Sequence, residues 1–166
     1  TITDDYYGLR IGNEYPIATG QCYSNMHVSI ADPIMWMNAA EVMFLRAEAA
    51  LYNWDEEASP QSYYEQAIRL SFAQWGAGDV DTYLANENTQ KNYIDPLKKY
   101  TYTGAGRQIG VKWNEGSDDE IKLERIITQK WIANFPLGLE AWAEFRRTGY
   151  PQLMSTPTNK SGGDVA

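Results

Sequence analysis

From Trp36 onward the apolar residues Ala40, Met43, Ala47, Ala50/Leu51 and Trp54 recur at three- and four-residue steps. That period gives a single apolar stripe along about five helical turns, with Glu41, Arg46 and Glu48 assigned to the polar face. Asp32-Pro33 offers a capping side chain followed by a residue whose missing N–H costs nothing at the first helical position, so a helix is predicted to start there. Ser59-Pro60 repeats the device, and Gly76 stands just past a second stripe of Tyr64, Ala67, Ile68, Phe72 and Trp75. Two helices joined by so short a link must run antiparallel with their stripes facing, so residues 33–76 read as a helical hairpin. Small residues at its centre, Ala47 and Ala67, with the run Tyr64 to Leu70, resemble one tetratricopeptide-type unit. The chain holds no second copy of it.

Elsewhere the periodicity is weaker. Residues 1–31 carry Gly8, Gly12, Gly20, Pro16 and tyrosines at 6, 7, 15 and 23 without sustained alternation, and read as an irregular segment with room for one short strand pair. Residues 77–117 are irregular, with a short helix expected at 80–86 after Asp79 and a short strand where Ile109, Val111 and Trp113 alternate. Ser117 to Glu120 has the form of a capping box, opening a third long helix to about Asn134; Pro136 breaks it, and Leu139 to Arg147 reads as a fourth, closed by Gly149 and Pro151. Residues 118–147 are thus a helix pair, and 148–166 a flexible tail of Ser, Thr, Pro, Gly and Asn. The expected fold class is mainly α: a tetratricopeptide-like hairpin plus further helices, long irregular loops and little β, all in one region, 1–166.

Composition narrows the functional classes. With 14 basic against 22 acidic side chains in 166 residues, the net charge of −8 gives no advantage on a phosphate backbone, so nucleic acid is not an expected partner. No apolar run approaches the length of a membrane span. The single cysteine, Cys22, has no internal disulfide partner. Thr19-Gly-Gln-Cys22 has the look of a lipoprotein signal, but Asp4, Asp5, Arg10 and Glu14 precede it where an apolar region is required. The chain opens on threonine and is read as a processed or excised piece of a larger protein.

Candidate chemistry is sparse. Cys22 and His27 are five residues apart with no third group nearby to orient them, and one His with one Cys is no recognisable zinc set, so neither a catalytic residue, nor a metal, nor a cofactor is expected. Glu120/Glu124 and Glu140/Glu144 each share a helix face at four-residue spacing; such pairs serve glycoside hydrolases, but the basic residues beside them favour ion pairing. Gly104-Ala-Gly106-Arg-Gln-Ile-Gly110 lacks the spacing and strand–helix context of a phosphate loop. Asn159-Lys160-Ser161 fits a glycosylation acceptor and says little. The unusual feature is 6 Trp, 12 Tyr and 4 Phe. Trp36, Trp54, Trp75, Trp131 and Trp142 fall in helices and are expected in the core. Tyr6, Tyr7, Asn13, Tyr15, Tyr23 and Asn25 combine aromatic planes with polar hydrogen-bonding groups, which is what a sugar ring needs, and are the candidate ligand-binding residues.

The stretch from Trp36 to Trp54, with Glu41, Arg46 and Glu48 spaced as A-E-x-x-x-x-x-A-E-A, resembles a helix of the SusD/RagB family of Bacteroidetes outer-membrane lipoproteins. A second block, Gln129-Lys130-Trp131 through Gly138-Leu-Glu140-Ala-Trp142-Ala-Glu144-Phe-Arg146-Arg147-Thr-Gly149-Tyr-Pro151, is similar to that family's late signature. The resemblance implies an α-helical protein with tetratricopeptide-type pairs, about three times this length, of which this chain is the C-terminal part. It further implies a non-catalytic surface protein that captures oligosaccharide or peptide nutrient, sits in the outer membrane through a lipid anchor absent from this chain, and delivers its cargo to a SusC-like TonB-dependent transporter. Glu41, Glu48, Glu140, Trp142, Arg146 and Arg147 are, on this resemblance, scaffold positions. Two other classes stay open: a peptide-binding helical scaffold without sugar affinity, and a glycoside hydrolase fragment using Glu140 or Glu144.

Overall fold

The computed structural model describes residues 6–12, 14, 22–26, 29–103 and 109–158. The chain divides into two compact units. Ile34–Gln90 with Arg107–Gln152 form one, here the helical unit; Thr1–Pro33, Lys91–Gly106 and Leu153–Ala166 form the other, the loop unit.

The helical unit contains α1 (Ala39–Leu51), α2 (Pro60–Trp75), α3 (Val80–Leu84), α4 (Asp119–Ala133) and α5 (Gly138–Thr148). The helices α1 and α2 make the expected antiparallel hairpin, and α1 also packs on α4. Ala47 and Ala67 are completely buried between them, which lets the two backbones approach. Phe44 meets Tyr64 edge-on, with ring centroids 6.1 Å apart, and Tyr64 leans on Trp113 at 5.3 Å. Ile68, Leu123, Ile126 and Ile127 complete the core. Tyr64 buries its hydroxyl by donating to the Val111 carbonyl at 2.6 Å, and burial pushes that phenol well above its ordinary pKa. The turn between α1 and α2 is locked by Arg46, whose Nε donates to Asp55 at 2.8 Å and whose guanidinium lies over the Tyr63 ring at 4.3 Å.

Helix ends follow local chemistry in most places. Ser59 Oγ accepts from Ser62 N–H, Asp79 accepts from Asp81 and Thr82, and Gly76 and Gly149 close α2 and α5 with φ of 58° and 77°, where an L side chain would be strained. Two expected starts are corrected. The helix α1 begins at Ala39, not at Pro33, because Asn38 is the better-placed cap: its Oδ1 accepts from Ala40 N–H at 2.9 Å while its Nδ2 donates to the Ala133 carbonyl at the end of α4, at 2.6 Å. Asp32 instead accepts from Ser29 N–H in an upstream turn. At α4 the cap position falls to Asp118, without a side-chain cap bond, because Ser117 is held in a preceding turn by the Asn114 carbonyl.

Two further expectations fail. Ile109 to Trp113 is no strand: Lys112 N–H reaches the Asn86 carbonyl, and the segment bends over α2. The five tryptophans expected in helices and in the core are 38–86% exposed; Trp75, Trp131 and Trp142 are helical, Trp36 and Trp54 lie outside the ends of α1, and the buried indole is Trp113. In their stead the helical unit buries ionisable groups. Lys130, almost wholly enclosed, reaches Glu144 at 2.7 Å and Glu41 at 3.6 Å. Arg147 grips Glu48 with two bonds of 2.6 and 2.7 Å and also holds Glu144 at 2.7 Å. One charged network thereby joins α1, α4 and α5.

Among the described residues of the loop unit there is no α-helix and no strand, but there is an isolated antiparallel bridge in which Tyr93 and Tyr102 exchange backbone bonds of 3.0 and 2.8 Å. Its organising group is Asp95, completely buried. Asp95 accepts from the Tyr23 hydroxyl at 2.7 Å and from the Lys99 and Tyr100 N–H groups at 2.7 and 3.0 Å. Arg10, also buried, donates to the carbonyls of Tyr100 and Ser155 and lies over the Tyr102 ring at 4.9 Å.

Candidate functional site

Backbone and side chain together stitch the first tyrosines to the segment around Tyr23. Ser24 N–H donates to the Tyr7 carbonyl at 2.8 Å, and Tyr7 N–H returns a bond to Ser24 Oγ at 2.9 Å. Tyr6, Tyr7, Tyr23 and Asn25 are therefore brought into one neighbourhood, although seventeen residues separate the two tied positions. Their roles differ. The Tyr6 ring is 94% exposed, Tyr7 is half-buried and Asn25 is exposed, so an aromatic plane and an amide face solvent beside each other. Tyr23 is buried with its hydroxyl on Asp95; its ring is part of the foundation and offers no open plane. Asn13 and Tyr15 lie outside the described residues, as does His27.

Beneath this patch lie residues that the sequence did not single out. Tyr93 donates its hydroxyl to the Gly8 carbonyl at 2.9 Å, which fixes the chain just after Tyr7. Burial, with the charge of Asp95, pushes the Tyr93 phenol above its ordinary value and keeps it a neutral donor. Gly12, at φ 82°, passes so close to the Thr158 carbonyl that a Cβ would stand 3.0 Å from it. The available signal was compositional: Tyr93, Tyr100 and Tyr102 repeat, in a second segment, the tyrosine richness of residues 6–23.

The geometry offers little to a reaction. Burial alone would raise the pKa of Glu144, but the hydrogen bonds and charges of Lys130 and Arg147 outweigh it and hold the carboxyl below its usual range, the wrong direction for a general acid. Glu140 is exposed. Glu124 is buried within the helical unit while Glu120 accepts from the Tyr150 hydroxyl at the surface, so this second pair does not line a shared cleft. Among the described residues no group of three or more His, Cys, Asp or Glu side chains is placed to hold a metal ion. A cavity lined by Phe44, Ile68, Phe72, Tyr83 and Gln129 has a volume of about 40 Å³, against the roughly 300–1,000 Å³ of small-molecule pockets. Among the described residues no helix is long and apolar enough to cross a membrane.

Comparison with known proteins gives a consistent picture. The family described as SusD-like, Susd and RagB outer membrane lipoprotein, matches residues 1–166. A SusD homologue from Bacteroides uniformis is 55% identical, with a TM-score of 0.81 over 87% of this chain and 30% of that one. A SusD homologue from Bacteroides thetaiotaomicron is 46% identical, with a TM-score of 0.86 over 93% of this chain and 34% of that one. A chitin-binding SusD homologue from Flavobacterium johnsoniae is 45% identical, with a TM-score of 0.71 over 77% of this chain and 27% of that one. The chain thus spans about a third of the length of these solved relatives. No match was found among curated proteins.

Proposed function

Because this chain belongs to the family of SusD and RagB outer membrane lipoproteins, we propose that it is part of a non-catalytic glycan-binding protein of the bacterial surface. The observation that carries the reading is the family match along the whole chain, together with a relative described as chitin-binding at 45% identity. In the finer form of the proposal the whole protein is lipid-anchored in the outer membrane and hands oligosaccharide, or another nutrient oligomer such as a peptide, to a SusC-like TonB-dependent transporter.

Within this chain the ligand meets the patch formed by Tyr6, Tyr7 and Asn25; Asn13 and Tyr15, outside the described residues, stay candidates on composition alone. The apolar face of a sugar ring covers the Tyr6 plane, and its hydroxyls pair with the Asn25 amide. The near-complete exposure of Tyr6 supports this, because an aromatic ring left in water by its own fold is available to a ligand.

Calorimetric titration with a panel of oligosaccharides, chitin oligomers first, tests the proposal. Heat of binding with the glycan recovered intact is expected, and Tyr6→Ala or Tyr15→Ala should weaken it by about 1–3 kcal/mol, a range taken over from aromatic stacking on nucleic-acid bases. Release of reducing ends would make the protein a hydrolase. Silence across the glycan panel with binding of peptides would make it a peptide scaffold.

A further inference from the structure

The cavity of the helical unit is too small for a sugar ring, yet its walls differ from those of an idle packing gap. Buried Phe44 and Ile68 give it an apolar floor, while Ile132, 48% exposed, and half-buried Ser71 form its outer part, so it opens to solvent. The polar group of the wall is Gln129 on α4, itself only 7% exposed. Its Oε1 accepts from the Tyr83 hydroxyl of α3 at 2.9 Å. Burial holds the Tyr83 phenol above its ordinary value, so it stays a neutral donor and occupies that oxygen. The Gln129 NH2 group is left over, and among the described residues it donates to nothing. Ser71 Oγ has no hydrogen-bond partner there either. A buried amide N–H without an acceptor is costly, and native proteins pair nearly all such groups. An amide left unpaired in an apolar hollow therefore calls for an acceptor that arrives from outside.

The form of the hollow identifies the chemistry of that acceptor. A volume of about 40 Å³ has room for a methyl-sized group and no more. The floor favours an apolar group, the Gln129 NH2 needs a carbonyl oxygen, and Ser71 Oγ can accept an N–H. A carboxylate would lose its hydration against Phe44 and Ile68, and no charged side chain is among the described residues that line the cavity. A sugar that carries only hydroxyls brings nothing apolar to the floor. An acetamido substituent brings methyl, carbonyl and N–H together. We infer that this cavity is an anchor for the acetamido group of an N-acetylated glycan: the methyl lies against Phe44 and Ile68, the carbonyl accepts from the Gln129 NH2, and the N–H is met by Ser71. The inference rests on the glycan-binding reading and deepens it, from sugars in general to those bearing acetamido groups.

The test compares N-acetylated chitotriose with cellotriose, trisaccharides that differ only in an acetamido or a hydroxyl group on each ring. Each is titrated into the 166-residue chain by calorimetry and followed through the side-chain amide signals in isotope-edited NMR spectra. The Gln129 signals are identified by their loss in Gln129→Glu. Chitotriose is expected to bind about tenfold tighter than cellotriose, or better, and to shift the Gln129 signals. Gln129→Glu keeps an acceptor for Tyr83 but turns an oxygen toward the incoming carbonyl, so it should bring chitotriose down to the cellotriose level. Ser71→Leu, which fills the hollow from α2, should do the same. Should either variant fail to melt cooperatively, the response of the Gln129 signals in the unaltered chain decides alone. Equal affinity for the two sugars with unmoved Gln129 signals would overturn the anchor and leave glycan capture standing. A preference for chitotriose that survives in both folded variants would overturn it as well, since the acetamido group is then read elsewhere. Gln129 signals that contact water and still do so at saturating chitotriose would make the occupant an ordered water and sink the inference. Silence with both trisaccharides would overturn the anchor, and silence across the wider panel the glycan reading too.

Discussion

The two units of this chain solve the same problem with opposite means. The helical unit is held by the interdigitation of Phe44, Tyr64, Ile68, Ile126 and Ile127, reinforced by ion pairs enclosed among α1, α4 and α5. The loop unit has no α-helix or strand among its described residues and is held by directional bonds: Asp95 gathering a phenol and two amides, Arg10 gathering two carbonyls, and Tyr93 reaching across to Gly8. Apolar packing tolerates small shifts and pays out with area. Hydrogen bonds from tyrosine hydroxyls fix particular atoms in particular places, and the ordered loops they make can display Tyr6 and Asn25 without a core beneath every residue. The charge division is consistent with this contrast: 16 of the 22 acidic side chains belong to the helical unit.

The contrast breaks most visibly at Lys130. Lys130→Ala leaves the carboxylates of Glu41 and Glu144 enclosed without their cation, and should cost about 3–5 kcal/mol in urea unfolding monitored by helical circular dichroism. Replacing Lys130 and Glu144 together, by Met and Gln, should recover part of that loss, because the uncompensated charge is reduced. In the loop unit Tyr23→Phe deletes the hydroxyl bond to buried Asp95. A loss of about 1.5–3 kcal/mol is expected, read as faster hydrogen exchange at the Lys99 and Tyr100 amides with the helical amides unchanged. If the helical amides accelerate equally, the two units do not respond separately.

Acid sharpens the comparison more gently. Glu144 has a folded pKa below the ordinary glutamate value of 4.5, so its contribution to stability is fully present above that value and drains away as pH falls through the lower folded value. The melting temperature of the helical unit should fall with acidification below 4.5, and Glu144→Gln should flatten that part of the curve. The smallest effect belongs to the exposed Arg69–Asp81 pair. Asp81→Ala should change stability by no more than about 1 kcal/mol, and salt should shrink the difference further.

Much of the helical unit was legible from residue order because its signals are local. Ser59-Pro60, Asp79, Gly76 and Gly149 act within one turn of where they stand, and the period of α2 needs no partner to be recognised. What escaped was decided at a distance. The start of α1 moved from Asp32 to Asn38 because Asn38 has a second bond to make with Ala133, ninety-five residues away. Glu48 read as a polar-face residue until Arg147 arrives from another helix, nothing in the order of residues marked Lys130 for burial beside Glu144 and Glu41, and the tryptophans read as core because their period is right, although the fold leaves them exposed. At the candidate site, aromatic and amide composition pointed to Tyr6, Tyr7 and Asn25. It gave no hint that Tyr23 would turn inward, since only Asp95 reveals that.

The side-chain amide of Asn38 has one more consequence. By capping the first turn of one helix with its oxygen and the last turn of another with its nitrogen, it removes the freedom of either end to fray by itself. Unwinding at Ala40 and unwinding at Ala133 become a single event, and amide protons at the two ends should become visible to solvent at matching rates.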